Sequence, residues 1–503
     1  MLFNSLIFLY LFLPVCLLVV FLLPRMFGRY SQKVSNLMLL LFSLLFYAWG
    51  GVSYLAVLAG SILVNYLTGL AIGSAKSTST RKRWFILGVI LNILLLVIFK
   101  YSLFIVNNIN LLGEVVGINP VVINEIILPL GISFYTFKGI SYLISVKREE
   151  SPAQRNIITL ALYVSVFPEL IAGPIDRYRY LELQIRERTT SFSQFSSGVQ
   201  RFCLGLFKKV IISTPLAYVA DHIINNPAEN LSTPLAWLGA ISYLLQIYYD
   251  FSGYTDMAIG IGRMLGFEFS ENFNFPYISR SVREFWKRWH ITLSTWLRDY
   301  LFLPIAYSTS RKLTRERYVG IRVDKLIYIY ATMITFLLCG FWHGAAWNFV
   351  VWGALHGIML SLEHTPFGKW LGRTWKPVQH LYLIVFLMTS LIFFRTDSLP
   401  EAFGYLGVMF GIGGEPIVWS KFLEFFDLEF IFIGSIAALG ATPFFQFFVG
   451  KYQSVSIKAD GTIRRWWVMS YTIISLVVIL LILLLSTMTM ISQTNTPFIY
   501  FKF

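Results

Sequence analysis

The sequence predicts an all-α polytopic membrane protein, and three observations favour this fold class. Of the 503 residues, 56% are hydrophobic and only 13% are charged, whereas a soluble domain carries roughly 25% charged residues. Apolar runs of about 18 or more residues, long enough to cross a bilayer as helices, recur along the chain. These runs are continuous rather than alternating, and are longer than the ~10 residues of a membrane β-strand. We therefore expect about 11–13 membrane helices, including re-entrant or broken segments, in one domain over residues 1–503.

Positive charge is concentrated between the apolar runs. The net charge of +15 comes from 41 Lys and Arg against 26 Asp and Glu. Because cytoplasmic loops of membrane proteins carry an excess of Lys and Arg, this distribution indicates a multi-pass protein rather than one that binds nucleic acid. Assigning these loops to the cytoplasm places both termini on the extracytoplasmic side. The cationic loops span residues 25–33, 76–83, 147–155, 177–188, 311–325, 369–376 and 451–465.

Membrane spans are predicted where an apolar run has no break. Residues 36–72 are expected to form a hairpin, because Gly50-Gly51 interrupts the run. Two segments, residues 156–174 and 291–307, have cationic sequence on both sides, so we expect them to be re-entrant or buried inside the protein. The continuous spans lie near residues 3–24, 84–106, 126–146, 196–220, 233–250, 377–396, 429–450 and 466–490.

Two histidines lie in an otherwise apolar stretch, residues 338–356. His343 and His356 stand there among Leu, Phe, Trp, Val, Ala and Gly. An unpaired polar group in hydrocarbon costs several kcal/mol, so an ionisable residue in a membrane segment is a candidate functional residue. We expect two helices on either side of a break at residues 343–346. The Gly and Ala residues there favour either close helix packing or access for a thin acyl chain.

A second polar cluster covers residues 279–299. Arg283, Trp286, His290, Ser294 and Leu297 recur at i+3 and i+4 spacing, which predicts that they share one face of a helix. One interpretation is an amphipathic helix at the membrane interface with its aromatic belt. The other is that His290 lines a functional site. The sequence leaves both open.

Two aspartates precede this cluster in an apolar context. Asp250 and Asp256 are expected to form structural ion pairs, with Arg263, Arg280 or Arg283 as partners. The three cysteines are scattered through apolar segments without a C-x-x-C spacing, so neither disulfides nor a metal site is predicted.

Four motifs together carry a resemblance to a known family. They cover residues 128–143, 167–178, 250–304 and 341–357, the last reading FWHGAAWNFVVWGALHG. The chain resembles the bacterial branch of the membrane-bound O-acyltransferase (MBOAT) family, which contains alginate and peptidoglycan O-acetyltransferases and the teichoic-acid D-alanyltransferase membrane subunit. The resemblance implies a fold in which the membrane helices surround a central funnel or tunnel.

The resemblance implies an acyl relay across the bacterial cytoplasmic (inner) membrane, with no bound cofactor. Acetyl-CoA or an acylated carrier protein would donate an acyl group, most simply acetyl, for O-acetylation of an exported or cell-wall polysaccharide. An extracytoplasmic acetyltransferase of the SGNH type would be the partner, and membrane lipid would surround the chain. His343 would be the essential histidine and His290 the second one. Further candidates for the tunnel or its support are Asp256, Trp286, Ser294, Arg298, Asp299, Asn348 and His356.

The C-terminal residues 491–503 are expected to form an extracytoplasmic aromatic tail. By resemblance, Tyr500 would carry the acyl group as a covalent relay, since an activated phenolic hydroxyl can accept an acyl group. The alternative is that this tail is an aromatic anchor at the membrane interface. Two other functions stay open: transfer of D-alanyl or another acyl group, and a transporter or flippase without covalent chemistry.

Overall fold

The computed structural model describes residues 1–124, 126–318, 320–447, 450 and 461–492. These residues fall into two compact units. One contains Met1–Phe202 and Tyr254–Ser270, and the other contains Cys203–Gly253 and the described residues from Glu271 onwards. The sequence-based expectation of a single domain stays a prediction.

The first unit is built from helices and turns. Phe8–Phe12 and Val97–Tyr101 are π-helical, and Leu23–Tyr30 is a 3-10 segment. The predicted hairpin is confirmed, because one helix ends at Ala48 and the next begins at Ser53. The α-helices are α1 (Leu13–Leu22), α2 (Ser31–Ala48), α3 (Ser53–Ser74), α4 (Thr78–Leu96), α5 (Ser102–Val115), α6 (Ile132–Lys147), α7 (Ile157–Ser165), α8 (Phe167–Leu170) and α9 (Tyr178–Glu187).

The remaining helices and one short hairpin lie mostly in the second unit. Phe207–Ser213 and Arg298–Phe302 are π-helical, and Ala228–Asn230 and Pro276–Ile278 are 3-10 segments. The elements are α10 (Phe192–Leu206), α11 (Thr214–Ile224), α12 (Thr233–Met264), α13 (Val282–Trp286), α14 (Ile291–Leu297), α15 (Leu303–Lys312), β1 (Arg317–Tyr318), β2 (Ile321–Arg322), α16 (Val323–His343), α17 (Trp347–Glu363), α18 (Pro366–Leu371), α19 (Lys376–Arg395), α20 (Leu399–Met409), α21 (Trp419–Leu423), α22 (Leu428–Gly440) and α23 (Gly461–Ser492).

The fold class predicted from the sequence is confirmed. In the described part of the chain, seven helical runs are long and apolar enough to cross a membrane. Helices α6 and α17, with 16 and 17 residues, are shorter than the roughly 20 residues of a typical span. Because the predicted 11–13 segments included such helices, that number stays a prediction. The seven runs are Phe8–Ala48, Ser53–Ser74, Thr78–Val115, Phe192–Ile224, Val323–His343, Lys376–Arg395 and Val468–Ser492.

The two segments expected to be re-entrant or buried differ in structure. Residues 156–174 contain only the short helices α7 and α8, with a break at Val166. The second segment lies in one helical run, in which a π-helical turn joins α14 to α15 as far as Lys312.

Buried polar side chains pair with one another inside each unit. In the first unit, the side-chain amides of Asn65 and Asn92 exchange hydrogen bonds of 3.2 and 3.0 Å between α3 and α4. Lys138 on α6 forms an ion pair with Glu169, and its ammonium also donates to the carbonyl oxygen of Tyr163 at 3.0 Å. Such pairing is necessary because hydrocarbon offers no hydrogen-bond partner.

The two aspartates predicted to form ion pairs do so, but with upstream partners that the sequence analysis did not name. Asp250 pairs with Lys209 in the second unit, and both side chains are buried. In the first unit, Asp256 pairs with Arg201, whose Nη2 lies 2.6 Å from the carboxylate.

We expect Lys138→Met to lower the free energy of unfolding by about 3–5 kcal/mol, because it leaves the buried Glu169 carboxylate without its counter-ion. The double variant Lys138→Met/Glu169→Gln should recover part of this loss, because it removes the uncompensated charge. Thermal unfolding in detergent measures both variants. A double variant less stable than Lys138→Met would contradict this account of the pair.

Candidate functional site

The break between α16 and α17 determines where His343 lies. His343 is the last residue of α16, and Gly344 and Ala346 have extended backbones before α17 begins at Trp347. The two helices pack closely at Gly340 and Gly353. A Cβ on Gly340 would lie 2.1 Å from the carbonyl oxygen of Phe349, so only glycine allows this approach. The predicted helix pair and its break are therefore confirmed.

His343 and His356 line the same narrow cavity of the second unit. Trp352 contacts both imidazoles, with ring centroids 5.1 Å from His343 and 4.6 Å from His356. The cavity has a volume of about 20 Å³, close to the space that one water molecule occupies. Its lining is mostly aromatic and aliphatic: Leu244, Ile247, Tyr277, Phe285, Trp289, His343, Trp352, His356, Leu387, Ser390, Leu391 and Phe394.

His356 is held by a hydrogen bond from Trp286. The indole Nε1–H of Trp286 donates to Nδ1 of His356 at 3.1 Å. Since Nδ1 accepts this bond, the bond itself assigns the neutral tautomer with its proton on Nε2. A protonated His356 would place two N–H donors against each other. The imidazole of His356 therefore keeps a donor at Nε2.

A larger cavity lies on the other side of Trp286. Its volume is about 420 Å³, and it contains three cationic side chains and several hydroxyl groups beside apolar ones. Trp286 and Phe336, whose ring centroids are 5.0 Å apart, form part of its wall. The lining consists of Arg283, Trp286, Lys287, Ile291, Ser294, Thr295, Leu297, Arg298, Phe302, Tyr328, Thr332, Thr335, Phe336 and Leu360.

The prediction of one continuous helix through residues 279–299 is wrong. The chain turns between α13 and α14, and His290 at this turn has a left-handed backbone with φ of +43°. Arg283, Trp286, Ser294 and Leu297, four of the five residues predicted to share a helix face, do line one cavity. The exception is His290.

His290 is buried and lines neither cavity. Its Nδ1 donates to Oδ1 of Asn272 at 3.1 Å, and its ring contacts Phe251 edge-on at 4.7 Å. Among the described residues, no hydrogen-bond partner reaches its Nε2. Asn272 Oδ1 also accepts bonds from the backbone N–H and the hydroxyl of Thr292, at 3.2 and 2.9 Å. This tautomer leaves Nε2 of His290 as a buried proton acceptor.

Glu363, at the end of α17, fixes the position of α13. Its two carboxylate oxygens accept hydrogen bonds from the backbone N–H groups of Val282 and Arg283, at 2.6 and 2.9 Å. The hydroxyl of Tyr382 donates a third bond at 3.0 Å. Helix α13 is therefore hydrogen-bonded to α17 in two places, through Glu363 and through the bond from Trp286 to His356.

One further histidine lies at the edge of the larger cavity. Partial burial, and then the nearby Arg283 guanidinium, lower the pKa of His364. Its ring stacks on Tyr328 with a centroid distance of 4.0 Å, and Tyr328 lines the cavity. Because the neutral imidazole is favoured, it packs on this wall without adding to the positive charge of Arg283.

The other predicted site residues lie in several places. Ser294 and Arg298 line the larger cavity, and Nε of Arg298 donates to the Asp299 carboxylate at 2.8 Å. Asn348 is buried and donates to the carbonyl oxygen of Thr396 at 2.7 Å, which ties the start of α17 to the end of α19. Asp256 belongs to the first unit and Tyr500 lies outside the described residues.

Sequence reasoning missed three residues of the site: Trp352, Glu363 and Asn272. Trp352 stands four residues before His356 and Glu363 seven after it, so helical spacing places all three on one face of α17. That spacing would have pointed to the first two residues. No comparable signal exists for Asn272, because its partner His290 is 18 positions away and lies outside regular structure.

Comparisons with known proteins show which family the chain is similar to. The family model described as MBOAT, membrane-bound O-acyltransferase family, matches residues 146–395. A probable alginate O-acetylase AlgI of Pseudomonas putida is 39% identical over the full length of both chains. The protein of the same description in Pseudomonas aeruginosa is 42% identical over 82% of this chain and 75% of its own. A peptidoglycan O-acetyltransferase of Helicobacter pylori is 36% identical over 82% of this chain and 80% of its own.

We expect Asn272→Ala to lower the free energy of unfolding by about 1–3 kcal/mol, because His290 and Thr292 lose their buried acceptor. Denaturant titration in detergent measures this change. The matched control is Asn274→Ala, because Asn274 is exposed and only two residues away. Equal losses in the two variants would show that Asn272 does not hold His290 in place.

Proposed function

Because the chain belongs to the membrane-bound O-acyltransferase family, we propose that it moves an acetyl group from a cytoplasmic donor across the bacterial inner membrane for O-acetylation of a polysaccharide. The observation that carries this proposal is the pair His343 and His356 on one narrow apolar cavity, in a chain that aligns along its full length with a probable alginate O-acetylase. Relatives named for alginate and peptidoglycan support an exported or cell-wall polysaccharide as the final acceptor.

His343 is the base of the proposed reaction. An acceptor hydroxyl attacks the thioester carbonyl carbon, and His343 takes the hydroxyl proton as the new C–O bond forms. The C–S bond then breaks and the thiolate leaves with that proton, which gives an O-acyl ester and a free thiol. The neutral imidazole is the form that can accept a proton.

The lining of the larger cavity has the chemistry to bind the proposed acyl donor. Arg283, Lys287 and Arg298 provide positive charge for phosphate groups, and Trp286 and Phe336 provide apolar surface for a pantetheine arm. Acetyl-CoA and an acylated carrier protein share this chemistry, since both present an acyl thioester on a phosphorylated pantetheine.

The larger cavity also lies on the donor's side of His343. Tyr328 lines it near the start of α16, which follows a cationic loop assigned to the cytoplasm. His343 ends the same helix 15 residues later, about 22 Å further along the axis at 1.5 Å per residue. The donor would therefore enter from the cytoplasm and present its thioester towards His343.

The lining of the narrow cavity favours acetyl over D-alanyl. Among the described residues that line it, there is no Asp or Glu to pair with the ammonium group of a D-alanyl ester. A buried ammonium without a counter-ion is costly, whereas an acetyl group is uncharged and small.

Beyond His343, the acetyl group would pass to the extracytoplasmic side. We assign this step to Tyr500 in the C-terminal tail, and the final transfer to a separate SGNH-type acetyltransferase. Tyr500 lies outside the described residues, so its chemistry alone supports the role: a phenolic oxygen forms an ester that a second enzyme can cleave.

We expect His343→Ala to lower acetyl transfer from labelled donor to polysaccharide by about 10²–10⁴-fold, because the reaction loses its base. The assay uses proteoliposomes with the extracytoplasmic partner, and each of acetyl-CoA and acetylated carrier protein in turn. The control His222→Ala removes an exposed histidine at the end of α11 and should transfer at the wild-type rate. Full activity of His343→Ala would rule out the proposed base and favour a transporter.

We expect Tyr500→Phe to abolish label bound covalently to the protein itself, because phenylalanine has no hydroxyl to acylate. Acid-stable protein label, measured after denaturation, separates this ester from bound donor. The control Tyr471→Phe removes a hydroxyl on α23 and should leave the label unchanged. If the Tyr500→Phe protein still labels the polysaccharide, the tail is not the acyl relay and acts as an interfacial anchor.

A further inference from the structure

A layer of aromatic side chains separates the larger cavity from the narrow one. Trp286 lines the larger cavity, and its ring contacts Trp352 at 6.0 Å and His356 at 5.4 Å, which both line the narrow cavity. Phe336 extends the same layer and lies 6.3 Å from the His356 ring. Trp286 therefore forms part of the wall between the larger cavity and the residues that line the narrow cavity.

The position of Trp286 is fixed at both ends of α13. At the end of the helix, its indole N–H bonds to His356. At the start, Glu363 binds two backbone N–H groups and is itself buried and bonded to Tyr382. Helix α13 has only five residues, so these bonds leave its backbone little freedom to shift the tryptophan.

We propose that Trp286, hydrogen-bonded to His356 and held in place through Glu363, limits the size of the acyl group that reaches His343. Trp286 is thus a specificity-determining residue, and Glu363 is a positioning residue that acts through it. This inference rests on the proposed acyl transfer and adds a selection between acyl donors of different length. The narrow cavity, at about 20 Å³, has room for little more than one water molecule, so every added methylene of an acyl group requires further displacement of its walls.

The aromatic character of the layer explains how selection would work. Apolar pockets discriminate between substrates by methylene groups, with each methylene worth about 10-fold or more. A longer acyl chain would have to displace the indole ring and break its bond to His356. An acetyl group demands the smallest displacement.

The experiment compares acetyl and butyryl transfer by the full-length protein in proteoliposomes, with acetyl- and butyryl-CoA and the corresponding acylated carrier proteins. The wild type should prefer acetyl by about 100-fold or more, because butyryl adds two methylenes at roughly 10-fold each. Trp286→Leu should reduce this preference by about 10-fold or more. Trp286→Phe, which keeps a ring but loses the bond to His356, and Glu363→Gln should each give an intermediate preference.

The matched control is Trp370→Leu, because Trp370 is exposed on α18 and lines neither cavity. Its preference should equal that of the wild type. A folded Trp286→Leu or Trp286→Phe protein with an unchanged preference would overturn the proposal. Trp286→Phe and Glu363→Gln change few atoms, so they test the proposal even if the Trp286→Leu protein does not fold.

A second readout does not depend on acyl transfer. A cysteine placed at Leu387, which lines the narrow cavity, reports access in detergent, with the three native cysteines replaced. Trp286→Leu should speed its reaction with a methanethiosulfonate reagent by about 10-fold or more, and an equal rate would contradict the barrier. If no acetyl transfer occurs but access increases, the proposed function fails while the barrier stands.

Discussion

Polar atoms in the interior of this protein must find their partners within the protein, because surrounding hydrocarbon supplies none. Some do so in pairs that cross between helices, such as Asn65 with Asn92 and Lys138 with Glu169. Among the described residues, Nε2 of His290 and Nε1 of Trp352 are buried ring nitrogens that depart from this rule. Unsatisfied buried groups are uncommon in native proteins and call for a specific reason. At Trp352, which lines the narrow cavity, the carbonyl oxygen of a passing acyl group would supply an acceptor for the indole N–H.

Close helix packing and hydrogen bonds between segments assemble the site. Gly340 and Gly353 allow α16 and α17 to touch, so the short connection 344–346 can join them while His343 and His356 line one cavity. On an unbroken helix, 13 residues would place these imidazoles about 220° apart. Bonds from neighbouring segments then fix the tautomers. Trp286 donates to one imidazole and Asn272 accepts from the other, so His356 and His290 each keep Nε2 for a different role, donor or acceptor.

The sequence predicted features that depend on local pattern. Apolar runs indicated the membrane helices, and the isolated polar residues in them indicated His343 and His356 as candidates. Prediction from the sequence failed where a structural feature depends on residues far apart in the chain or on one backbone angle. Asp250 and Asp256 pair with residues 41 and 55 positions away, and Glu363 binds backbone groups about 80 positions upstream. The helical spacing through His290 was misleading, because a single left-handed residue divides that segment into α13 and α14.

In the proposed reaction the protein breaks one acyl bond and forms another inside the membrane, and the stoichiometry of products on the two sides of the bilayer tests this most directly. Proteoliposomes would enclose acetyl-CoA labelled in the acetyl group, with polysaccharide and the extracytoplasmic partner outside. Our account predicts that each labelled acetyl ester formed outside is matched by one free CoA thiol released inside. Labelled ester or thioester outside without thiol release inside would contradict it and would indicate a transporter that moves its cargo intact.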